Sequence, residues 1–223
     1  KLLEACKNTT IKNLVFSSTA AVYKDGQYKV NEKSVIKPKS VYGKTKIKAE
    51  KIIKQFCRRK KINYCILRYF NIAGSSPSGK IGLINKSDHL FKNFSREIIK
   101  KRPILKIYGD NYDTKDGSCI RDFIHVSDIA EIHFKVLEKI NKVKNSKILN
   151  CGYNRGISVL EVAKAFKKQT SKKVEILILK RRKGDLVKII ASNSKLKNFI
   201  KWKPKFNNLN TIVKSCINWE KRQ

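Results

Sequence analysis

Strand, helix and strand follow one another in the first seventy residues, and that order constrains the fold more than any other feature. Residues 12–17 form a short apolar run. Residues 42–60 form an amphipathic stretch of helical period, and residues 64–70 a second apolar run centred on Cys65-Ile66-Leu67. Apolar runs of strand length on either side of a helix read as parallel strands joined by a crossover. The alternation continues along the chain. Residues 2–6 read as the end of a helix, 89–100 as a helix stopped by Pro103, 105–108 as a short strand and 109–117 as a polar turn. Ser127 is expected to cap a helix reaching about residue 141, followed by a strand at 147–151. Ser158 and Glu161, three residues apart, predict a capping box opening a helix to 170. Residues 174–179 read as a strand and 209–220 as an amphipathic helix. The fold class is α/β. A loop rich in Gly, Ser and Pro, 74–82, is suited to cover a ligand.

Three residues carry candidate chemistry. The run Phe16-Ser17-Ser18-Thr19-Ala20-Ala21 ends a strand in small and hydroxyl residues, and Tyr42-Gly43-Lys44-Thr45-Lys46 opens a helix. Positions i and i+4 share a helix face, so Tyr42 and Lys46 point the same way. A phenol beside an ammonium group gives up its proton more readily, because the positive charge favours the phenolate. Thr19 offers a hydroxyl to share that proton. The set suits moving a proton on and off an alcohol. Tyr-x-x-x-Lys alone is weak, since it also describes an ordinary charged helix face. A strand ending in Ser-Ser-Thr just ahead of it is what an α/β site at the carboxyl end of a sheet looks like.

Five stretches carry a wider resemblance: residues 16–23, 42–46, Arg68 to Gly74, Gly117 to Asp128 and Arg181 to Leu186. In that order and spacing the chain resembles the extended short-chain dehydrogenase/reductase family, and within it the branch that epimerises UDP-hexoses at carbon 4. The Arg121-Asp122-Phe123-Ile124-His125-Val126 run is the most discriminating of the five. The resemblance implies a doubly wound, Rossmann-like parallel sheet followed by a smaller α/β substrate domain. It assigns 1–75 to the C-terminal part of the NAD-binding domain, carrying Thr19, Tyr42 and Lys46, and 76–223 mainly to the nucleotide-sugar substrate domain, with segments at about 105–155 returning to the first sheet.

The resemblance also implies roles. Tyr42 is the base at the sugar's 4-hydroxyl, Lys46 bonds the nicotinamide ribose of NAD, and Thr19 orients the hydroxyl. A hydride leaves carbon 4 to give a 4-keto sugar, which turns over and takes the hydride back on its other face. Phe70 lies against the nicotinamide and Asn71 meets the nucleotide sugar. His89 and Leu90 are substrate contacts, and Arg121, Arg182 and Asp185 grip the UDP, the arginines by forks that match a diphosphate. Ile189 falls where residue size influences acceptance of N-acetylated sugars. A homodimer through the helices at 42–60 and 89–100 is expected on the same ground.

Each assignment has an ordinary counterpart. Phe70 also reads as a core aromatic, Arg121-Asp122 as an internal ion pair, Arg182 as a solvated charge and His89 as a polar helix start. Nucleotide-sugar dehydratases are the nearest competitor. They carry an Asp-Glu pair after the threonine, where this chain has Ala20 and Ala21. Epimerases of UDP-glucuronate or UDP-N-acetylglucosamine stay open.

Composition bounds the rest. The 52 Lys and Arg against 17 Asp and Glu give a net charge of +35, which raises a non-enzymatic alternative, a basic nucleic-acid-binding module. Lysine far outnumbers arginine and is spread over every segment. Specific nucleic-acid readers lean on arginine forks and interleaved aromatics, so no specific nucleic-acid partner is expected. Six cysteines without Cys-x-x-Cys spacing and three dispersed histidines predict free thiols and no metal site. No apolar run is long enough to span a bilayer and no signal-peptide pattern opens the chain, so the cytoplasm is the expected compartment. The chain contains no methionine and no glycine-rich turn between a strand and a helix. Such a turn normally lets the backbone approach a dinucleotide pyrophosphate. The expectation is therefore the C-terminal two-thirds of a longer enzyme, inactive alone.

Overall fold

The computed structural model describes residues 1–84, 89–143, 145–182 and 184–223. The chain opens with α1 (Leu2–Ala5), β1 (Asn13–Thr19), β2 (Lys29–Val30), α2 (Val41–Lys60) and β3 (Asn63–Tyr69). It continues with β4 (Asn71–Ala73), α3 (Leu90–Ile98), β5 (Ile104–Tyr108), β6 (Ile120–Arg121), β7 (Phe123–His125), α4 (Val126–Val143) and β8 (Lys147–Cys151). The last part holds β9 (Ile157–Ser158), α5 (Val159–Lys167), β10 (Glu175–Leu179), β11 (Lys188–Ala191), α6 (Ser194–Ile200) and α7 (Leu209–Glu220).

The main sheet is parallel, in the order β1-β3-β8, with Thr19 opposite Tyr69 and Tyr69 opposite Cys151. Side chains alternate along a strand, so each strand must satisfy two faces. Even positions Leu14, Phe16, Tyr64 and Ile66 point to one side, where Leu14, Phe16 and Tyr64 pack with Ile53, Phe56 and Cys57 of α2. Odd positions Val15, Cys65 and Leu67 point to the other, against Ile129, Ile132, Val136 and Ile140 of α4. Helices therefore cover both faces, which is why these strands read as near-continuous apolar runs. This is the doubly wound, Rossmann-like α/β arrangement.

Smaller sheets surround it: β10-β5, β4-β7, and a four-stranded sheet in the order β2-β11-β6-β9. A second core, including Phe91 and Phe94 of α3, Val162 and Phe166 of α5 and Ile212 and Val213 of α7, packs under β5. Of the span 105–155, the strand Lys147–Cys151 joins the main sheet, whereas Ile104–Tyr108 pairs with Glu175–Leu179.

The capping box at Ser158 and Glu161 is present, and α7 occupies the span its amphipathic pattern predicts. The helix after Ser158 ends at Lys167, short of residue 170. Ser127 does not cap α4. It lies inside the helix, and its N–H donates to the ring Nδ1 of buried His125 at 3.0 Å, so the histidine supplies the acceptor expected of the serine. The internal pair between Arg121 and Asp122 is not formed. Asp122 is fully buried and accepts backbone N–H bonds from Tyr153 (2.8 Å), Asn154 (2.9 Å) and Ala191 (3.1 Å), tying three segments together.

Burial pushes the Asp122 carboxyl up to about 6, against the pull of those donors. Its folded value lies above the unfolded one, so folding takes up a proton between them. The stability this adds is present at pH 4 and lost as the pH rises through about 6. Thermal denaturation of the parent and Asp122→Asn from pH 4 to 7 checks this. The parent's advantage is expected to shrink as the pH rises, and a gap independent of pH would contradict it.

Candidate active site

The end of β1 and the start of α2 meet because the chain puts a glycine where they touch. At Gly43 a Cβ would lie 2.4 Å from the carbonyl oxygen of Ala21 and 2.8 Å from Cβ of Pro38. Ser40 caps the helix, accepting the N–H of Gly43 at 3.0 Å. One turn further on, Lys46 Nζ donates to the backbone oxygen of Ser17 at 2.9 Å and stands 5.1 Å from the Phe16 ring and 5.7 Å from the Tyr42 ring. The two contacts of α2, to Ser17 and to Ala21, bracket Thr19. Thr19 Oγ1 accepts the N–H of Ala21 at 3.1 Å, capping a short turn at Ala20–Val22 and leaving the hydroxyl hydrogen free to donate. Tyr42 is 55% exposed, so its phenol faces open space beside this turn.

A second group of residues converges nearby. Beyond β3, Asn71, His89, Leu90, Arg121, Arg182 and Asp185 all line one cavity of about 430 Å³. They come from β4, the start of α3, β6 and the loop after β10. Asn71 lies two residues past Tyr69, the register partner of Thr19, so the cavity opens at the carboxyl end of the same sheet. Its cations, Arg96, Lys100, Lys106, Arg121 and Arg182, outnumber its carboxylates, Glu97 and Asp185. Arg121 reaches Asp185 at 3.8 Å, and the exposed Arg182 stacks its guanidinium 3.8 Å over the Tyr108 ring. A stacked planar cation keeps its edge donors directed in a fixed plane.

His89 precedes α3 without capping it by its side chain. Its Nε2 lies 2.6 Å from the carbonyl oxygen of Ile72, which can only accept, so Nε2 carries the hydrogen. Burial holds the imidazole below its usual range, keeping it neutral. Nδ1 is then an acceptor, buried and without a partner among the described residues. An unmet buried acceptor is costly, and a ligand donor would relieve it.

Phe70 and Ile189 do not line this cavity. Phe70 is 6% exposed and packs with Ala20, Val22, Tyr23, Ile189 and Ala191 beneath the turn after Thr19. Sequence reading missed Asn93, Arg96 and Lys100, which face the cavity with His89. They recur at the helical period from residue 89, a signal the sequence did contain. It missed Tyr108 as a cavity residue, although the strand that carries it is legible at 105–108, because a tyrosine at a strand end carries no sign of what it faces.

Gly43→Ala is expected to lose about 1–3 kcal/mol, because the added methyl meets backbone rather than a movable side chain. Chemical denaturation measures it, and an unchanged midpoint would show that the contact is looser than drawn.

Residues 1–152 match the model of the NAD dependent epimerase/dehydratase family. The chain is 37% identical over 222 residues to UDP-glucose 4-epimerase of Azospirillum brasilense, and 37% identical to that of Halalkalibacterium halodurans. Each alignment covers 99% of this chain, which spans 64% and 66% of the two relatives. Among solved structures, UDP-glucose 4-epimerase from Bifidobacterium longum in complex with NAD+ and UDP superposes with a TM-score of 0.90 at 31% identity, over 99% of this chain and 67% of that one. The UDP-Glc/GlcNAc 4-epimerase of Campylobacter jejuni is 40% identical, with a TM-score of 0.78 over 100% of this chain and 68% of its own. No helix among the described residues is long and apolar enough to cross a membrane. By sequence match and by fold, the chain belongs to the NAD dependent epimerase/dehydratase family.

Proposed function

We propose that this chain carries the proton-transfer and nucleotide-sugar parts of an NAD-dependent UDP-hexose 4-epimerase. The observation that carries the reading is the convergence of Asn71, His89, Leu90, Arg121, Arg182 and Asp185 on one cation-rich cavity at the sheet end that bears Thr19.

The arginines bind a diphosphate through charge-assisted hydrogen bonds. Asp185, already within 3.8 Å of Arg121, offers an acceptor to ribose hydroxyls or a uracil N–H. The free Nδ1 of His89 takes a further ligand donor. Tyr42 and Lys46 fit the nicotinamide end of NAD, since the phenol is exposed and the ammonium projects beside it at the sheet's carboxyl end. When bound there, NAD supplies a hydride acceptor and donor for carbon 4. Tyr42 takes the proton of the 4-hydroxyl and later returns it. Lys46 steadies the phenolate by its charge, and Thr19 donates to the same sugar oxygen. Phe70 supports the turn from below.

Ala20 and Ala21 place no ionisable group at this turn, which favours proton and hydride exchange over elimination of water. The Campylobacter enzyme is named for UDP-Glc and UDP-GlcNAc alike, so both sugars belong in the assay.

Two measurements test the proposal. Calorimetric titration of the chain with UDP is expected to show binding that Arg182→Ala and Arg121→Ala each weaken about 10- to 100-fold. Equal affinity in both variants would remove the assigned diphosphate grip. Fused behind the amino-terminal third of the Azospirillum relative, the chain is expected to interconvert UDP-galactose and UDP-glucose. Tyr42→Phe in that chimera is expected to lose about 10²- to 10⁴-fold in kcat, and full turnover without the phenol would end the proton-transfer reading.

A further inference from the structure

Beneath Tyr42 and Lys46 lies a buried ion pair that the proposed chemistry does not use. Glu50 continues the face of α2 at the next i+4 position. Its carboxylate is fully buried, and so is its partner: Glu50 is 0% and Arg68 1% exposed. Arg68 Nε donates to Oε1 at 3.0 Å and a second guanidinium nitrogen donates to Oε2 at 2.7 Å, a two-point clamp. Oε1 also accepts the hydroxyl of Ser18 at 2.6 Å. The third side of the guanidinium donates to Tyr23 Oη at 3.1 Å. Tyr23 in turn donates to Asn150 Oδ1 at 2.6 Å, and Asn150 Nδ2 to the carbonyl of Val30 at 3.0 Å. All three nitrogens of the Arg68 guanidinium and both oxygens of the Glu50 carboxylate thus take part in hydrogen bonds.

A buried ion pair is a poor device for stability, because desolvation offsets most of the attraction. It is a good device for geometry, because each group can meet its needs in one arrangement only. Here that arrangement joins helix to strand residue by residue. Lys46 holds Ser17 and Glu50 holds Ser18, both on the approach to Thr19. We propose that Glu50, oriented by Arg68, is a positioning residue. It fixes the depth of α2 against the end of β1, and thereby the placement of Tyr42 and Lys46 relative to Thr19. The inference rests on the proposed roles of those three residues. A shift of about 1 Å in such a set is enough to cost about 100-fold in rate.

The test replaces the pair by an apolar one, Glu50→Leu with Arg68→Met, in the full chain. A well-packed substitution of this kind keeps or raises stability, so the thermal midpoint is expected to stay within a few degrees. Nuclear Overhauser contacts between Lys46 and the Phe16 ring, which span helix and strand, are expected to disappear. The affinity for UDP, bound in the separate cavity, is expected to hold. In the chimera kcat is expected to fall about 100-fold with KM for UDP-galactose unchanged. Ser18→Ala removes a single hydroxyl and decides the matter if the double variant does not fold. Loss of the same contacts and about a tenfold fall in kcat are expected there. Persistence of the Lys46–Phe16 contacts in a folded variant overturns the proposal, as does their loss with kcat unchanged. A parent chimera without epimerase activity overturns the proposed function instead, and the contacts in the chain alone then decide the positioning role.

Discussion

The seat of α2 on the end of β1 is the contact on which the rest of the site depends. It is a close approach of two backbones, made possible by the missing side chain of Gly43. Two hydrogen bonds hold it, one from Lys46 to a backbone carbonyl and one from Ser18 to a buried carboxylate. Apolar packing of Ile53, Phe56 and Cys57 on the even side of the sheet supplies the cohesion. Packing alone would allow the helix to slide, whereas the polar contacts name one position along the strand. Burial therefore accounts for the association of α2 with the sheet, and directional bonds account for its register.

The same division of labour appears in the cation-rich cavity. Its walls are carried by elements with separate hydrophobic reasons to be where they are. The α3 helix is fixed by Phe91 and Phe94 in the second core, and β6 by pairing with β11 and β9. Polar side chains on their outer ends then meet without having to stabilise one another. Asp122 is the exception. It is a buried acceptor that ties β8's following loop and β11 to the β6–β7 junction, directly beside the cavity residue Arg121. The Arg121-Asp122 dipeptide thus divides into a residue that faces the cavity and one that holds the frame behind it.

Much of this was legible in the residues. Long periodic segments declared themselves: α2, β3, α5 with its capping box, and α7 follow their patterns closely. The short strands β4, β6, β7 and β9 did not, because two or three residues carry no period and form only where a longer neighbour offers a ladder. The α4 cap shows a related limit. Ser127 had the right chemistry for a cap, but the buried His125 ring already occupied the geometry. Phe70 and Ile189, read as ligand neighbours, share one apolar cluster beneath the turn after Thr19, a neighbourhood that two apolar side chains far apart in sequence do not reveal.

Sequence alone determined the chemical types and the local periods. A phenol and an ammonium group share a helix face, a hydroxyl ends a strand, and two arginines and a carboxylate follow further along the chain. These follow from covalent order and from the 3.6- and 2-residue repeats of helix and strand. Only the tertiary structure decided which of them meet. Thr19 lies beside the helix start because a glycine lets backbones touch, and His89 keeps Nδ1 as an open acceptor because its Nε2–H donates to the carbonyl of Ile72. Glu50, indistinguishable in sequence from any charged helix residue, became the buried anchor because Arg68 of a neighbouring strand closes on it. A contact between residues far apart in the chain depends on the packing of everything between them, and no local pattern encodes that sum.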